Sequence, residues 1–211
     1  MSLAISIDLN RSQKISETDS FTESRYLQMI KCARNKNNIL DLGCNTGRGG
    51  AVIKSQYPFC LIDGVEIVSE RIEKIPFDIY RDVYFESVEK VNFKTKKYDA
   101  ILAGEFAEHI SLEIFEKMLI SIRQLLNPHG MVIFTTPNPD YFMIKLGKRG
   151  VLEDNSHINI MTIRFFKEIL KKMGFKNIRV KGTGRVSNFI GTDFPIKALY
   201  GSYLISADII S

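Results

Sequence analysis

The sequence predicts an α/β fold: a mostly parallel sheet with helices on both faces. Three observations carry that reading. Short apolar runs such as NILDL (38–42) and MVIFTT (131–136) have the composition of strands buried on both sides. They alternate with stretches whose apolar residues recur at helical spacing, as in SLEIFEKMLISIRQLL (111–126). With 45% of 211 residues hydrophobic and 25% charged, the chain has the balance of one compact domain, which excludes disordered and collagen-like classes.

The elements follow in order. The N-terminal segment, 1–36, begins MSLAISIDLNRSQK and lacks the basic start, apolar core and small-residue cleavage site of a secretory signal, so a cytoplasmic location is expected. No stretch approaches the roughly 18 uninterrupted apolar residues of a membrane-spanning helix. The strand at 38–42 runs straight into the glycine-rich GCNTGRGG, which reads as a tight turn and then a helix. FCLIDGVEI (59–67) reads as a second strand, VSERIEKI as a helix, VYFESV as a third strand and YDAILAGE (98–105) as a fourth. The helix over 111–126 should stop near Asn127, Pro128 and Gly130, before the fifth strand at 131–136. Strands joined through helices imply right-handed crossovers and a parallel sheet.

After Thr136 the regularity breaks. PNPDYFMIKLGKRGVLEDNSHIN is longer than a simple connector and reads as a substrate-facing cap, with the lid assigned to 138–160. MTIRFFKEILKKMGF then reads as an amphipathic helix ending near Gly174, and KNIRVKGTG and ALYGSYLISADII as two final strands within 161–211. One domain results, with its core at 37–137.

Charge and cysteines narrow the partners. The formal net charge of +5 is concentrated in residues 140–190, where 11 basic residues face 4 acidic ones. An anionic partner, a phosphate or a membrane surface, should meet that segment unless its lysines are a solvated helix face. Cys32, Cys44 and Cys60 have no CxxC spacing, which argues against a disulfide framework or a zinc ribbon and for small buried residues.

Parallel sheets bind ligands at the carboxyl ends of their strands. That places Asp41 to Gly47, Glu66, Ser87, and Gly104 to His109 around one crevice. Gly43 and Gly47 permit a sharp turn and close backbone approach. Asn45 stands where a GxGxxG fingerprint needs glycine, and no GxxxxGK[ST] loop is present, so dinucleotide and nucleoside-triphosphate chemistry lack support. Glu66 ends the second strand 25 residues after Asp41, where a carboxylate can accept hydrogen bonds from vicinal ribose hydroxyls. Asp41, inside an apolar strand, needs partners: loop amides or a cation.

ILDLGCNTG, GVEI, YDAILAGEFAEHI and LLNPHGMVIFTTPN, in that order, resemble the motifs of class I S-adenosylmethionine-dependent methyltransferases over about residues 20–182. The resemblance implies a Rossmann-like seven-stranded sheet, mostly parallel, with its last strand antiparallel. It implies methionyl binding by the loop of Asp41, Gly43, Cys44, Asn45 and Gly47, and ribose binding by Glu66. Ser87 and Val88 would contact adenine, and Ala103, at the end of the fourth strand, completes the cofactor set. Family members often carry aspartate where Ser87 stands, so the adenine amine would lose a side-chain acceptor while a backbone contact from Val88 survives. Arg25 is a candidate partner for the cofactor's carboxylate.

Glu105, Glu108 and His109 would share one face if their segment takes a helical turn. Two carboxylates and an imidazole suit a divalent cation such as Mg, Mn, Fe or Zn, and His157 is a candidate fourth ligand. Without a metal, His109 suits a general base, as in metal-free methyltransferases that carry an EH pair. The Glu-x-x-Glu-His set with a distant His resembles ubiquinone-biosynthesis O-methyltransferases and small-RNA 3′-terminal 2′-O-methyltransferases. Both imply a metal at Glu105, Glu108, His109 and His157. TTPNPDYF and SHINIMTIRFFKEILKKMGF resemble, more loosely, methyltransferases of bacterial polysaccharide and natural-product biosynthesis. The expectation is a methyltransferase acting on a hydroxylated small molecule, a sugar or quinone-type precursor with a diol or phosphate. The alternatives are an RNA 3′ end as acceptor, or a non-catalytic subunit that keeps the cofactor fold.

Overall fold

The computed structural model describes residues 7–8, 10–11, 20–148 and 154–209. Most of the N-terminal segment and the middle of the expected cap, 149–153, lie outside them. The described elements are α1 (Ser20–Cys32), β1 (Asn38–Leu42), α2 (Arg48–Gln56), β2 (Leu61–Glu66), α3 (Ser69–Ile72), β3 (Asp82–Phe85), β4 (Tyr98–Gly104), α4 (Leu112–Leu125), β5 (Leu126–Pro137), α5 (Phe142–Lys145), α6 (Ile163–Lys172), β6 (Lys176–Thr183), α7 (Ser187–Ile190) and β7 (Ser202–Asp208). Seven strands form one sheet in the order β3-β2-β1-β4-β5-β7-β6. β1 to β5 run parallel, and β7 runs antiparallel to both β5 and β6.

That order reverses between β1 and β4, the point at which an open α/β sheet leaves a crevice beyond its strand ends. Each face is closed by its own core. Leu42, Ala103, Phe115, Phe134 and Phe166 lie in the cluster on the side of α4 and α6. Tyr26, Ile39, Ile53, Ile62 and Tyr80 lie in the cluster on the side of α1 and α2. α4 and α6 start where their sequences supply caps: the Ser111 side chain accepts from Ile114 N–H and that of Thr162 from Phe165 N–H.

Three expected boundaries differ. VSERIEKI forms only the four-residue α3, because Pro76 cannot continue a helix and the segment turns instead. The third strand stops at Phe85, so Ser87 and Val88 sit in the connection beyond it. α4 ends at Leu125, and 126–130 already belong to the bulged start of β5. Cys44 and Cys60 are buried and Cys32 is partly so, and all three thiols are free.

Candidate active site

β1 hands over to α2 through a loop whose backbone is left-handed at Gly43 (φ 69°), Asn45 (φ 52°) and Gly47 (φ 85°). Glycine serves the first and last of these without steric cost, and asparagine is the side chain that best tolerates the middle one. The loop is anchored to β2: Gly43 and Cys44 donate their N–H groups to the Val65 carbonyl at 2.9 and 3.0 Å. A Cβ on Gly43 would lie 2.5 Å from Phe106 Cδ2, so the close approach this glycine allows is used at least in part by a phenylalanine ring.

Glu66 occupies the end of β2 as expected, almost wholly buried. Its carboxylate accepts N–H groups from Asn45 (2.9 Å), Ile67 (2.8 Å) and Val68 (2.9 Å). A carboxylate has about four acceptor positions, so capacity remains for a ribose hydroxyl, though less than two empty oxygens would offer. Arg71 Nη1 lies 3.9 Å away, and burial lowers the pKa of that guanidinium against the opposing pull of Glu66 and Glu70. The Arg71 side chain also donates to the carbonyl of Asn10.

Asp41 is completely buried, and its partners are neither loop amides nor a cation. Tyr26 and Tyr80 donate their hydroxyls to its two oxygens at 2.8 and 2.7 Å, and Gly50 N–H donates in turn to the Tyr80 oxygen at 3.2 Å. Burial raises its pKa to about 6 despite those two bonds. With both oxygens held, the Asp41 side chain braces the loop from beneath. Ala103 lies fully buried in the core, leaving its backbone as what it can offer a ligand. Ser87 and Val88 are buried beyond β3, and the Ser87 hydroxyl is engaged by Glu89.

The segment after β4 makes a single 3-10 turn, Ala107–His109, rather than a helix that includes Glu105. Glu105 precedes it with φ 50°, and that left-handed step breaks the spacing that would have aligned it with Glu108 and His109. Its carboxylate faces Arg25 instead: Arg25 Nε and Glu105 Oε1 are 3.4 Å apart, an ion pair without the alignment of a hydrogen bond. Arg25 thus meets an acidic side chain of this chain.

Glu108, His109 and His157 do come together. One ligating atom from each lies within 4.8 Å of the others. Glu108 is fully buried, with the Thr136 hydroxyl donating to Oε2 at 3.0 Å and Oε1 without a hydrogen-bond partner among the described residues. Burial and the neighbouring Glu105 push its carboxyl well above the usual range. His109 Nδ1 lies 3.1 Å from the Ser156 carbonyl, and that acceptor assigns the proton to Nδ1 and a lone pair to Nε2. Burial, with His157 alongside, lowers its pKa to about 4. The returning half of the cap is tied down here, since Ile158 and Asn159 donate their N–H groups to the Glu108 carbonyl. The donor set fits a divalent cation: an unpartnered buried carboxylate oxygen, an imidazole oriented by a carbonyl, and a second imidazole alongside.

A family model described as a methyltransferase domain matches residues 16–180. The chain belongs to this family. It is an S-adenosylmethionine-dependent methyltransferase, and its fold is similar to that of solved proteins of this kind. The methyltransferase is 24% identical over 190 residues to the small RNA 2′-O-methyltransferase of Tetrahymena thermophila, covering 76% of this chain and 44% of that protein. The chain thus spans less than half of that relative. A SAM-dependent methyltransferase from Archaeoglobus fulgidus is similar at TM-score 0.68 and 18% identity, covering 88% of this chain and 92% of that one. The plantazolicin methyltransferase BpumL, solved with SAH, is similar at TM-score 0.66 and 18% identity, covering 90% and 82%. At these identities the structural likeness concerns the fold. Among the described residues no helix of this methyltransferase is long and apolar enough to cross a membrane.

Tyr26, Tyr80, Arg71, Phe106, Thr136 and Ser156 were not singled out by the sequence. One signal for the tyrosines was available: an aspartate inside an apolar strand requires donors, and an aromatic hydroxyl can reach it from a flanking helix, as Tyr26 does, or from a connection, as Tyr80 does.

Proposed function

We propose that this methyltransferase acts on an oxygen of a hydroxylated small molecule bearing a neighbouring hydroxyl pair, a sugar or a quinone-type precursor, with the aid of a divalent cation. The observation that carries the reading is the convergence of Glu108, His109 and His157 beside the crevice at the strand ends. S-adenosylmethionine supplies the electrophilic methyl group. The loop of Gly43, Cys44, Asn45 and Gly47 would hold its methionyl part, Glu66 its ribose, and the Ser87–Val88 segment its adenine. A cation held by Glu108, His109 and His157 would lower the pKa of a chelated hydroxyl.

The chain's own residues do the rest. Ser156 keeps the His109 proton on Nδ1, so Nε2 carries the lone pair that would ligate the cation, while the lowered pKa of this imidazole makes it a poor general base near neutrality. Thr136 fixes one oxygen of Glu108 and leaves the other available. Ile158 and Asn159, pinned to the Glu108 carbonyl, hold the returning half of the cap beside the site, and the gain in rate comes from holding the acceptor in line for transfer.

A second reading has support in the similarity to the Tetrahymena small RNA 2′-O-methyltransferase, since an RNA 3′-terminal nucleotide also presents vicinal hydroxyls. The test is methyl transfer to a catechol, a sugar diol and an RNA oligonucleotide, each with Mn, Mg or Zn and again with chelator. Metal-dependent methylation of the catechol or sugar, abolished in Glu108→Ala, is expected. Transfer only to RNA would select the second reading, and turnover indifferent to chelator and to Glu108→Ala would remove the cation.

A further inference from the structure

Two connections at the carboxyl end of the sheet expose apolar side chains. One is the first part of the cap, with Phe142 and Leu146 (69% exposed) around α5. The other joins β6 to β7 and exposes Phe189 (88%), Ile190, Phe194 and Ile196 (55%). They are joined side by side. Asn138, buried at the root of the cap, donates to the carbonyls of Lys197 and Tyr200, and its own N–H donates to Gly201. The second connection is rigidly presented: the Lys197 ammonium donates to the carbonyls of Thr192 and Phe194, and the Tyr200 hydroxyl to that of Gly191. Exposed apolar side chains gathered on two connections bonded at their roots, at one end of the sheet, mark an interaction surface.

The charges on the same two connections select the partner. Lys145, Lys148 and Arg185 are exposed among the apolar residues, and Asp193 is held by Lys181 and Thr192. Half of the six apolar side chains are aliphatic. A surface for single-stranded nucleic acid relies on aromatic faces on which bases stack, whereas leucine and isoleucine beside phenylalanine and lysine are the composition of a surface that lies in the headgroup boundary of an anionic bilayer.

We infer that the Phe142–Lys148 and Arg185–Ile196 surface docks this methyltransferase peripherally on an anionic lipid bilayer, with the mouth of its crevice toward the headgroups. The surface is separate from the residues proposed to bind cofactor and metal, so the inference stands or falls apart from the acceptor reading. It also gives part of the basic excess in 140–190 a use.

The full chain is floated with vesicles of phosphatidylcholine alone and of equal parts phosphatidylcholine and phosphatidylglycerol. Binding to the anionic vesicles only, weakened by salt, is expected. It should fall about tenfold or more in Phe189→Ser/Ile196→Ser, and likewise in Lys145→Glu/Lys148→Glu. Unchanged S-adenosylmethionine binding by calorimetry in both variants would certify their folding. Absence of flotation with anionic vesicles overturns the inference, as does flotation indifferent to both variants. Binding of a single-stranded RNA oligonucleotide that the same variants weaken, with no flotation, would overturn it in favour of a nucleic-acid surface.

Discussion

Asp41 sits where an ionised carboxylate is least welcome, and its two tyrosine partners soften that cost without cancelling it. Its pKa rises from an ordinary 3.8 to about 6, so the folded chain holds this proton more tightly than the unfolded chain does. The stabilisation from that proton is complete below pH 4 and is lost as pH rises through 6, about 3 kcal/mol in all at 1.36 kcal/mol per unit. Urea unfolding of the wild type and of Asp41→Asn at pH 4 and pH 7 checks this. The wild type should lose about that much relative to the variant, and a constant difference would refute it. At Glu66 the expectation concerns the cofactor. Glu66→Ala removes the acceptor for three backbone amides as well as the one proposed for ribose. Calorimetry should show S-adenosylmethionine affinity lowered by roughly 1.5–3 kcal/mol, the range for hydrogen bonds to a charged group.

At the scale of elements, the junction of β1 and α2 was the most legible part of the site. A strand ending in a glycine loop, followed by an acidic residue at the end of the next strand, describes what is observed at Gly43, Gly47 and Glu66. The role of the next glycine was not legible. A Cβ on Gly49 would lie 2.1 Å from the Tyr26 ring, which the Asp41 hydrogen bond holds in place. Gly→Ala inside a helix ordinarily stabilises by up to about 1 kcal/mol. Here overpacking of about 1–3 kcal/mol wins, and Gly49→Ala should lower the thermal midpoint. A raised midpoint would mean that the ring yields. The turn after β4 shows the opposite limit of sequence reading. Helical spacing aligned Glu105 with Glu108 and His109, but the left-handed step at Glu105 sends its side chain to Arg25.

At the scale of the molecule, the candidate metal site joins the turn after β4 to the far end of the cap, 48 residues along the chain between His109 and His157. A cation that binds the folded state alone stabilises it by mass action. Adding Mn or Zn should therefore raise the thermal midpoint of the wild type, and Glu108→Ala/His157→Ala should abolish the rise. Equal shifts in both proteins would place the ion elsewhere.

Fold class, strand alternation and the glycine turn and acidic residue that end β1 and β2 were determined by the sequence itself, because burial on two faces and a sharp glycine turn leave local signatures. NILDL and GCNTGRGG carry theirs within a few residues. The partners of Asp41, the diversion of Glu105, and the bond between Ser156 and His109 were decided only by tertiary structure. Each depends on which side chains a distant element brings within hydrogen-bond reach. No spacing along the chain encodes that distance, since it is set by how helices pack on the two faces of the sheet.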